Sequence, residues 1–171
     1  MAVAKPLLGP VVGFILLLAA WLAQAAAPLD RLAPPPGPRD LCPVCGMVVA
    51  KYPAWIASVA WKDGHTHHFD GAKDMFKFLF ELKKYAPGHE AADLRALAVT
   101  EYYGLTRIDA TRAFYVIGSD VLGPMGHELV PLASRADAEE FLKDHRGRRI
   151  LTYPQVTRGL VMGLDAGRFD R

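Results

Sequence analysis

The segment Cys42-Pro43-Val44-Cys45-Gly46-Met47 has the residue types and the spacing of a metal or redox site. A C-x-x-C turn brings two thiols together, and Gly46 permits a tight backbone turn whose amide groups point at sulfur. Alternate residues of an extended segment face the same side. The Cys45 thiol and the Met47 thioether can therefore reach one ion.

Three interpretations of this segment remain open: a metal site, a dithiol redox switch and an inert disulfide. A thioredoxin-type motif follows a strand inside a βαβ pattern, whereas this motif follows a proline-rich stretch, which argues against redox catalysis. A structural zinc site has four ligands, commonly two C-x-x-C pairs, and the chain has only two cysteines. Zinc would therefore need two histidines in addition to the cysteine pair.

A second candidate segment is Gly123-Pro124-Met125-Gly126-His127-Glu128. Its glycines predict a turn between two strands that exposes Met125, and His127 lies two residues further on the same face. Taken alone, this is a loop methionine beside a surface histidine. With the cysteine pair it forms a set of sulfur and imidazole donors without a carboxylate cluster, and soft thiolate and thioether ligands select Cu(I). The predicted metal ligands are Cys42, Cys45, Met47, Met125 and His127.

Three further histidines, His65, His67 and His68, follow the turn dipeptide Asp63-Gly64. On a strand, His65 and His67 share one face and His68 takes the other. They are either the solvated side of a hairpin or an additional nitrogen site for metal. The chain contains no G-x-S-x-G, H-E-x-x-H or P-loop motif, so the sequence predicts a binding protein rather than an enzyme.

The first half of the chain carries a strand pattern at residues 55–61 that is apolar on both faces. The Asp63-Gly64 turn predicts a return strand at Thr66–Phe69. Asp70 is the expected N-cap of a helix over residues 71–84, whose apolar stripe faces a core. Another strand is expected at residues 96–103.

The second half repeats this plan, with strands predicted at Phe114–Ile117 and at residues 128–132. Ser134 and Asp137 have the spacing of a capping box that begins a helix, and residues 148–153 form a last strand. The sequence therefore predicts an α+β fold made of two similar β-β-α-β units, with helices packed on antiparallel sheet.

Charge and the N-terminal pattern restrict the class and the compartment. The chain has 171 residues with 20 basic and 18 acidic side chains, a near balance that argues against a nucleic-acid binder. After Lys5, the apolar run over residues 7–23 precedes Ala23-Gln24-Ala25, which is typical of a signal peptide cleaved after Ala25. The alternative is a membrane anchor through residues 7–23, and either one places the rest of the chain outside the cytoplasm.

The expected organisation is a signal peptide or anchor at residues 1–25, a proline-rich linker at 26–40, a copper-binding domain at 41–158 and a C-terminal tail at 159–171. Four motifs occur in order at residues 42–47, 69–76, 102–105 and 115–128: CPVCGM, FDGAKDMF, YYGL and YVIGSDVLGPMGHE. Together they resemble the NosL family, the accessory proteins of nitrous-oxide reductase.

This resemblance implies a periplasmic, Cu(I)-binding metallochaperone with paired β-β-α-β units. The implied partners are nitrous-oxide reductase and the envelope machinery that matures it. Many family members are lipoproteins, but here no cysteine precedes Cys42, so a lipid anchor is not expected. The alternative hypothesis is a thiol-disulfide oxidoreductase or copper reductase of the cell envelope that uses Cys42 and Cys45.

Overall fold

The computed structural model describes residue 29 and residues 33–170 of the chain. The predicted signal peptide or membrane anchor lies outside these residues. Within the described part, no helix combines the length and the apolar character that crossing a bilayer requires.

The first sheet is antiparallel and has four strands. They are β1 (Ala57–Trp61), β2 (Thr66–Phe69), β3 (Leu94–Thr100) and β4 (Arg107–Asp109), in the order β2-β1-β3-β4. All five residues of β1 are buried, as its apolar pattern on both faces predicts. Helix α1 (Ala72–Phe80) and the short helix α2 (Leu82–Tyr85) lie between β2 and β3 in the chain.

The second sheet contains β5 (Phe114–Ile117), β8 (Val130–Leu132) and β9 (Arg149–Thr152) in the order β8-β5-β9. A two-stranded hairpin, β6 (Leu122–Gly123) and β7 (Gly126–His127), projects between β5 and β8. Helix α3 (Arg135–Asp144) precedes β9, and helix α4 (Arg158–Leu164) follows it. Single 3₁₀ turns lie at Val49–Lys51, Pro53–Trp55, Ala91–Asp93 and Tyr153–Gln155.

The two halves share one pairing plan. Strand β1 pairs antiparallel with β2 and with β3, and β5 pairs antiparallel with β8 and with β9. In each half a helix separates the second strand from the third along the chain. The predicted α+β class is confirmed, and the shared plan is consistent with two β-β-α-β units.

Two predicted elements end more than two residues away from where the structure ends them. The helix expected over residues 71–84 is broken at Glu81, and Gly71 rather than Asp70 holds the N-cap position. Asp70 lies one residue before the cap, and its Oδ1 accepts the thiol of Cys45, 3.1 Å away, instead of a helix amide. Strand β3 ends at Thr100 because the carboxylate of Glu101 accepts the amides of Tyr103 and Gly104 and turns the chain.

The main core joins α1, β1 and α4. Its buried side chains include Trp61, Met75, Phe76 and Phe78, together with four that follow residue 158: Leu160, Val161, Leu164 and Phe169. Residues 159–171 were expected to form a C-terminal tail. However, their apolar residues form a helical stripe, and Thr157 begins α4 by accepting the amide of Leu160. Ala33 of the expected linker is also buried, against Ala60 and Ala98.

Candidate metal site

The two cysteines lie in a closed turn. The amide of Cys42 donates to the carbonyl of Met47, and the amide of Gly46 donates to the carbonyl of Cys42, each over 2.8 Å. Gly46 has φ +78, a conformation that favours glycine. Both cysteines are free thiols, Cys42 buried and Cys45 partly buried.

Two carboxylates meet the two thiols. The Cys42 thiol donates to Asp74 Oδ2 over 3.5 Å, and the Cys45 thiol donates to Asp70 Oδ1 over 3.1 Å. Asp70 follows β2, and Asp74 lies in the first turn of α1. One potential ligand atom from each of these four residues lies within 4.8 Å of the other three. The expectation of a sulfur site without a carboxylate cluster was wrong, because Asp70 and Asp74 join the thiols.

Burial controls the protonation of the thiols. It is the main reason why the pKa of Cys42 is raised to about 12 and the pKa of Cys45 well above its usual range, and the neighbouring Asp74 carboxylate acts in the same direction on both. Without metal, both thiols keep their protons, so a cation that binds thiolate must displace them. Among the described residues, buried Asp70 Oδ2 has no hydrogen-bond partner. A carboxyl oxygen that is free to accept a proton therefore lies beside the thiols.

The β6–β7 hairpin carries the other predicted ligands. Met125 is 45% exposed in the turn, as a non-core methionine would be. The ring of His127 packs edge-on against Phe169, with centroids 5.0 Å apart. His127 is not part of the four-residue group around the thiols. The turn is fixed to α1, because Lys73 Nζ donates to the carbonyl of Met125 over 2.8 Å.

The structure therefore brings Cys42 and Cys45 together and places partly buried Met47 at the end of their turn. It puts Met125 and His127 on a separate hairpin attached to α1. Sequence reasoning missed Asp70, Asp74 and Lys73. Their signal was the DGAKD segment at residues 70–74, in which the two carboxylates stand four residues apart across the start of a helix.

The histidine hairpin has hydrogen-bonded partners of its own. The rings of His65 and His67 lie 4.5 Å apart, while His68 is on the opposite face against Ser58 Oγ at 2.8 Å. His67 Nδ1 accepts the indole N–H of Trp61 over 2.9 Å, which leaves the proton of its neutral ring on Nε2. Metal binding through His67 would break this bond. A role for this cluster in metal binding stays a prediction.

A family model described as NosL matches residues 35–161 and so includes both the cysteine turn and the Met125 hairpin. The chain belongs to the NosL family. A curated relative, the copper-binding lipoprotein NosL of Stutzerimonas stutzeri, is 29% identical over 129 residues, which are 71% of this chain and 64% of the relative. The chain thus spans less than two thirds of the length of that relative.

The crystal structure of the copper chaperone NosL from Shewanella denitrificans has the same fold as this NosL chain. The TM-score is 0.59 at 21% sequence identity, and the match covers 73% of this chain and 99% of the other.

Proposed function

We propose that this NosL protein is an exported Cu(I)-binding metallochaperone. The observation that carries the proposal is the pair of free thiols held in one turn, with a ligand atom of each inside a 4.8 Å group. The family match and the copper-binding name of the curated relative support it. The chain carries its ion as cargo and passes it on, without turnover.

The ligand set we propose is built on sulfur. Cys45 and Cys42 supply thiolate, Met47 or Met125 supplies thioether, and His127 is the nitrogen donor. Thiolate and thioether favour Cu(I) over harder ions. Asp70 and Asp74 already accept the thiol hydrogens, so they are placed to take these protons when copper arrives.

Release follows from the mixed character of this set. Thioether and imidazole hold copper less tightly than a full set of thiolates, so an acceptor can exchange ligands one at a time. Met125 is exposed in a turn, where a partner's donors can approach. We propose nitrous-oxide reductase or its envelope maturation machinery as the acceptor, and the periplasm as the compartment. We also propose that the N-terminal signal peptide is cleaved after Ala25. If mass spectrometry of the native protein shows that residues 1–25 are retained, cleavage is contradicted and the membrane anchor is supported.

The test is anaerobic Cu(I) competition against a chromogenic chelator. Cys45→Ser should weaken binding by at least about tenfold, roughly 1.4 kcal/mol. Met125→Leu and His127→Ala should weaken it less, or slow transfer while binding persists. Met162→Leu is the matched control, because Met162 is 48% exposed on α4 and is not a proposed ligand. If Cys45→Ser and Met125→Leu bind like the parent while changes at the histidine hairpin abolish binding, the sulfur site is wrong.

Comparing the parent with a Cys42→Ser variant distinguishes a chaperone from an oxidoreductase or copper reductase. Reactive cysteines have lowered thiol pKa values, whereas burial raises the pKa of both thiols here. Cys42→Ser would abolish dithiol chemistry, but a chaperone could retain copper through Cys45 and the methionines. If the parent reduces disulfides catalytically and Cys42→Ser abolishes this activity, the protein is the enzyme rather than the chaperone.

A further inference from the structure

Lys73 connects the thiol-bearing side of the protein to the Met125 hairpin. It lies in the first turn of α1, between Asp70 and Asp74 in the chain, and its side chain is fully buried. Its backbone amide donates to Glu128 Oε1 over 2.5 Å, and its Nζ donates to the carbonyl of Met125 over 2.8 Å. Lys73 therefore binds the hairpin segment at two points: at its turn, through the Met125 carbonyl, and just after β7, through the Glu128 carboxylate.

The buried ammonium of Lys73 has a counter-ion that also leads to the thiols. A buried charge is tolerated only when it is paired, and Asp165 Oδ1 lies 3.0 Å from Lys73 Nζ. Asp165 Oδ2 also lies 2.8 Å from Lys77 Nζ, which is 3.3 Å from Asp74 Oδ1. Asp74 accepts the thiol of Cys42. A continuous set of polar contacts thus runs from the hairpin to the cysteine turn.

Two glycines make room for the Glu128 side chain: Gly71 at the start of α1, and Gly123 within the hairpin itself. The Glu128 carboxylate occupies the space in which a Cβ on residue 71 would lie. A Cβ on residue 123 would lie 3.1 Å from Glu128 Cγ. The hairpin is therefore packed on α1 by Glu128 and fixed at its turn by Lys73, while the Met125 side chain stays free to bind.

We propose that Lys73 is a positioning residue for copper. By holding the Met125 carbonyl, its ammonium keeps the Met125 thioether beside the helix turn that carries the partners of the thiols. This inference rests on the proposed function, in which Met125 is a ligand. It assigns to a buried lysine, which touches neither thiol, a measurable part of the affinity for Cu(I).

The test is a double-mutant cycle on Cu(I) affinity in the full chain. Lys73→Met keeps the length of the side chain and removes its charge and donors. It should weaken binding by about tenfold in the parent but by less than about twofold when Met125→Leu is already present. Lys73→Arg, which keeps the donors, should retain more affinity than Lys73→Met. Lys77→Met is the matched control: it loses its contacts to Asp74 and Asp165 but has none to the hairpin, so any effect it has on affinity should be equal in both backgrounds.

The outcomes separate this inference from the proposed function. If Met125→Leu alone leaves Cu(I) affinity unchanged, Met125 does not contribute to binding and the positioning role falls, while the proposed function still stands on the cysteines and Met47. If Cys45→Ser also binds Cu(I) like the parent, the proposed function falls as well. If Met125→Leu weakens binding but Lys73→Met acts equally in both backgrounds, only the positioning role is overturned. If Lys73→Met does not fold, Asp165→Asn replaces it in the cycle. Asp165 is partly exposed, and this substitution removes the counter-ion of Lys73. The same non-additivity is then required.

Discussion

Glu128 is a single buried carboxyl group that replaces a local helix cap. Its Oε1 accepts the amides of Lys73 and Leu129, and burial raises its pKa to about 8. The amides at the start of a helix lack partners within the helix, and a preceding Ser, Thr, Asp or Asn side chain usually supplies one. Here the acceptor comes from 55 residues further along the chain, so capping α1 also fixes the hairpin.

Gly71→Ala should destabilise the protein by about 1–3 kcal/mol, because the new methyl group would collide with the Glu128 carboxylate. Gly71 has φ −177, which any residue adopts, so the cost is steric. Gly159→Ala on α4 is the control: nothing lies within 4 Å of its Cβ position, and we expect a gain of up to about 1 kcal/mol. Urea unfolding measures both, and equal midpoints for Gly71→Ala and the parent would mean that Glu128 moves freely.

At the level of elements, the strands, turns and caps that depend only on neighbouring residues were predictable from the sequence. The apolar run of β1, the Asp63-Gly64 turn with Gly64 at φ +92 and the Ser134–Asp137 capping box are all confirmed. The role of Asp70 was not predictable, because the N-cap preference is local and its thiol partner lies 25 residues away. The attachment of the Met125 hairpin depends on a lysine 52 residues away, which no spacing rule indicates.

Helix α4 gives a direct test of whether residues after 158 belong to the fold. Leu160→Ala should cost about 2–5 kcal/mol, because Leu160 is only 1% exposed within the main core. Met162→Ala, two residues away on the same helix and 48% exposed, should stay within about 0.5 kcal/mol of the parent. Urea midpoints measure both variants. Equal small losses for the two would mean that this segment is a tail.

At the level of the whole molecule, we expect the change in folding stability at low pH to come from buried titratable groups. The formal net charge is only +2, so repulsion across the whole surface contributes little. Burial, with a smaller electrostatic effect from His65 and His89, lowers the pKa of His67 to about 4. Burial also lowers the pKa of His68 to about 4. The unfolded chain binds these protons near pH 6.5 and the folded chain only near pH 4. Both histidines therefore reduce stability as the pH falls from about 6.5 toward 4.

Glu128 acts with the opposite sign. Its folded pKa is raised to about 8 from an unfolded value near 4.5, so its contribution to stability is lost as the pH rises through that window. The two effects overlap between pH 4.5 and 6.5. The contribution of a histidine must therefore be measured as the difference between the parent and a variant at each pH.

His67→Gln should make the loss of stability between pH 6.5 and 4 shallower, by up to about 1.4 kcal/mol per pH unit, because one proton fewer is taken up on unfolding. The groups that face His67 are His65, His68, His89 and Asp63, with the Trp61 indole on its Nδ1. Gln can keep an acceptor for that indole. Met162→Gln, an exposed change that removes no titratable group, is the control and should leave this slope unchanged. Urea unfolding of metal-free protein across the range gives the slopes. Parallel curves for the parent and His67→Gln would show that His67 is protonated as readily in the folded chain as in the unfolded one.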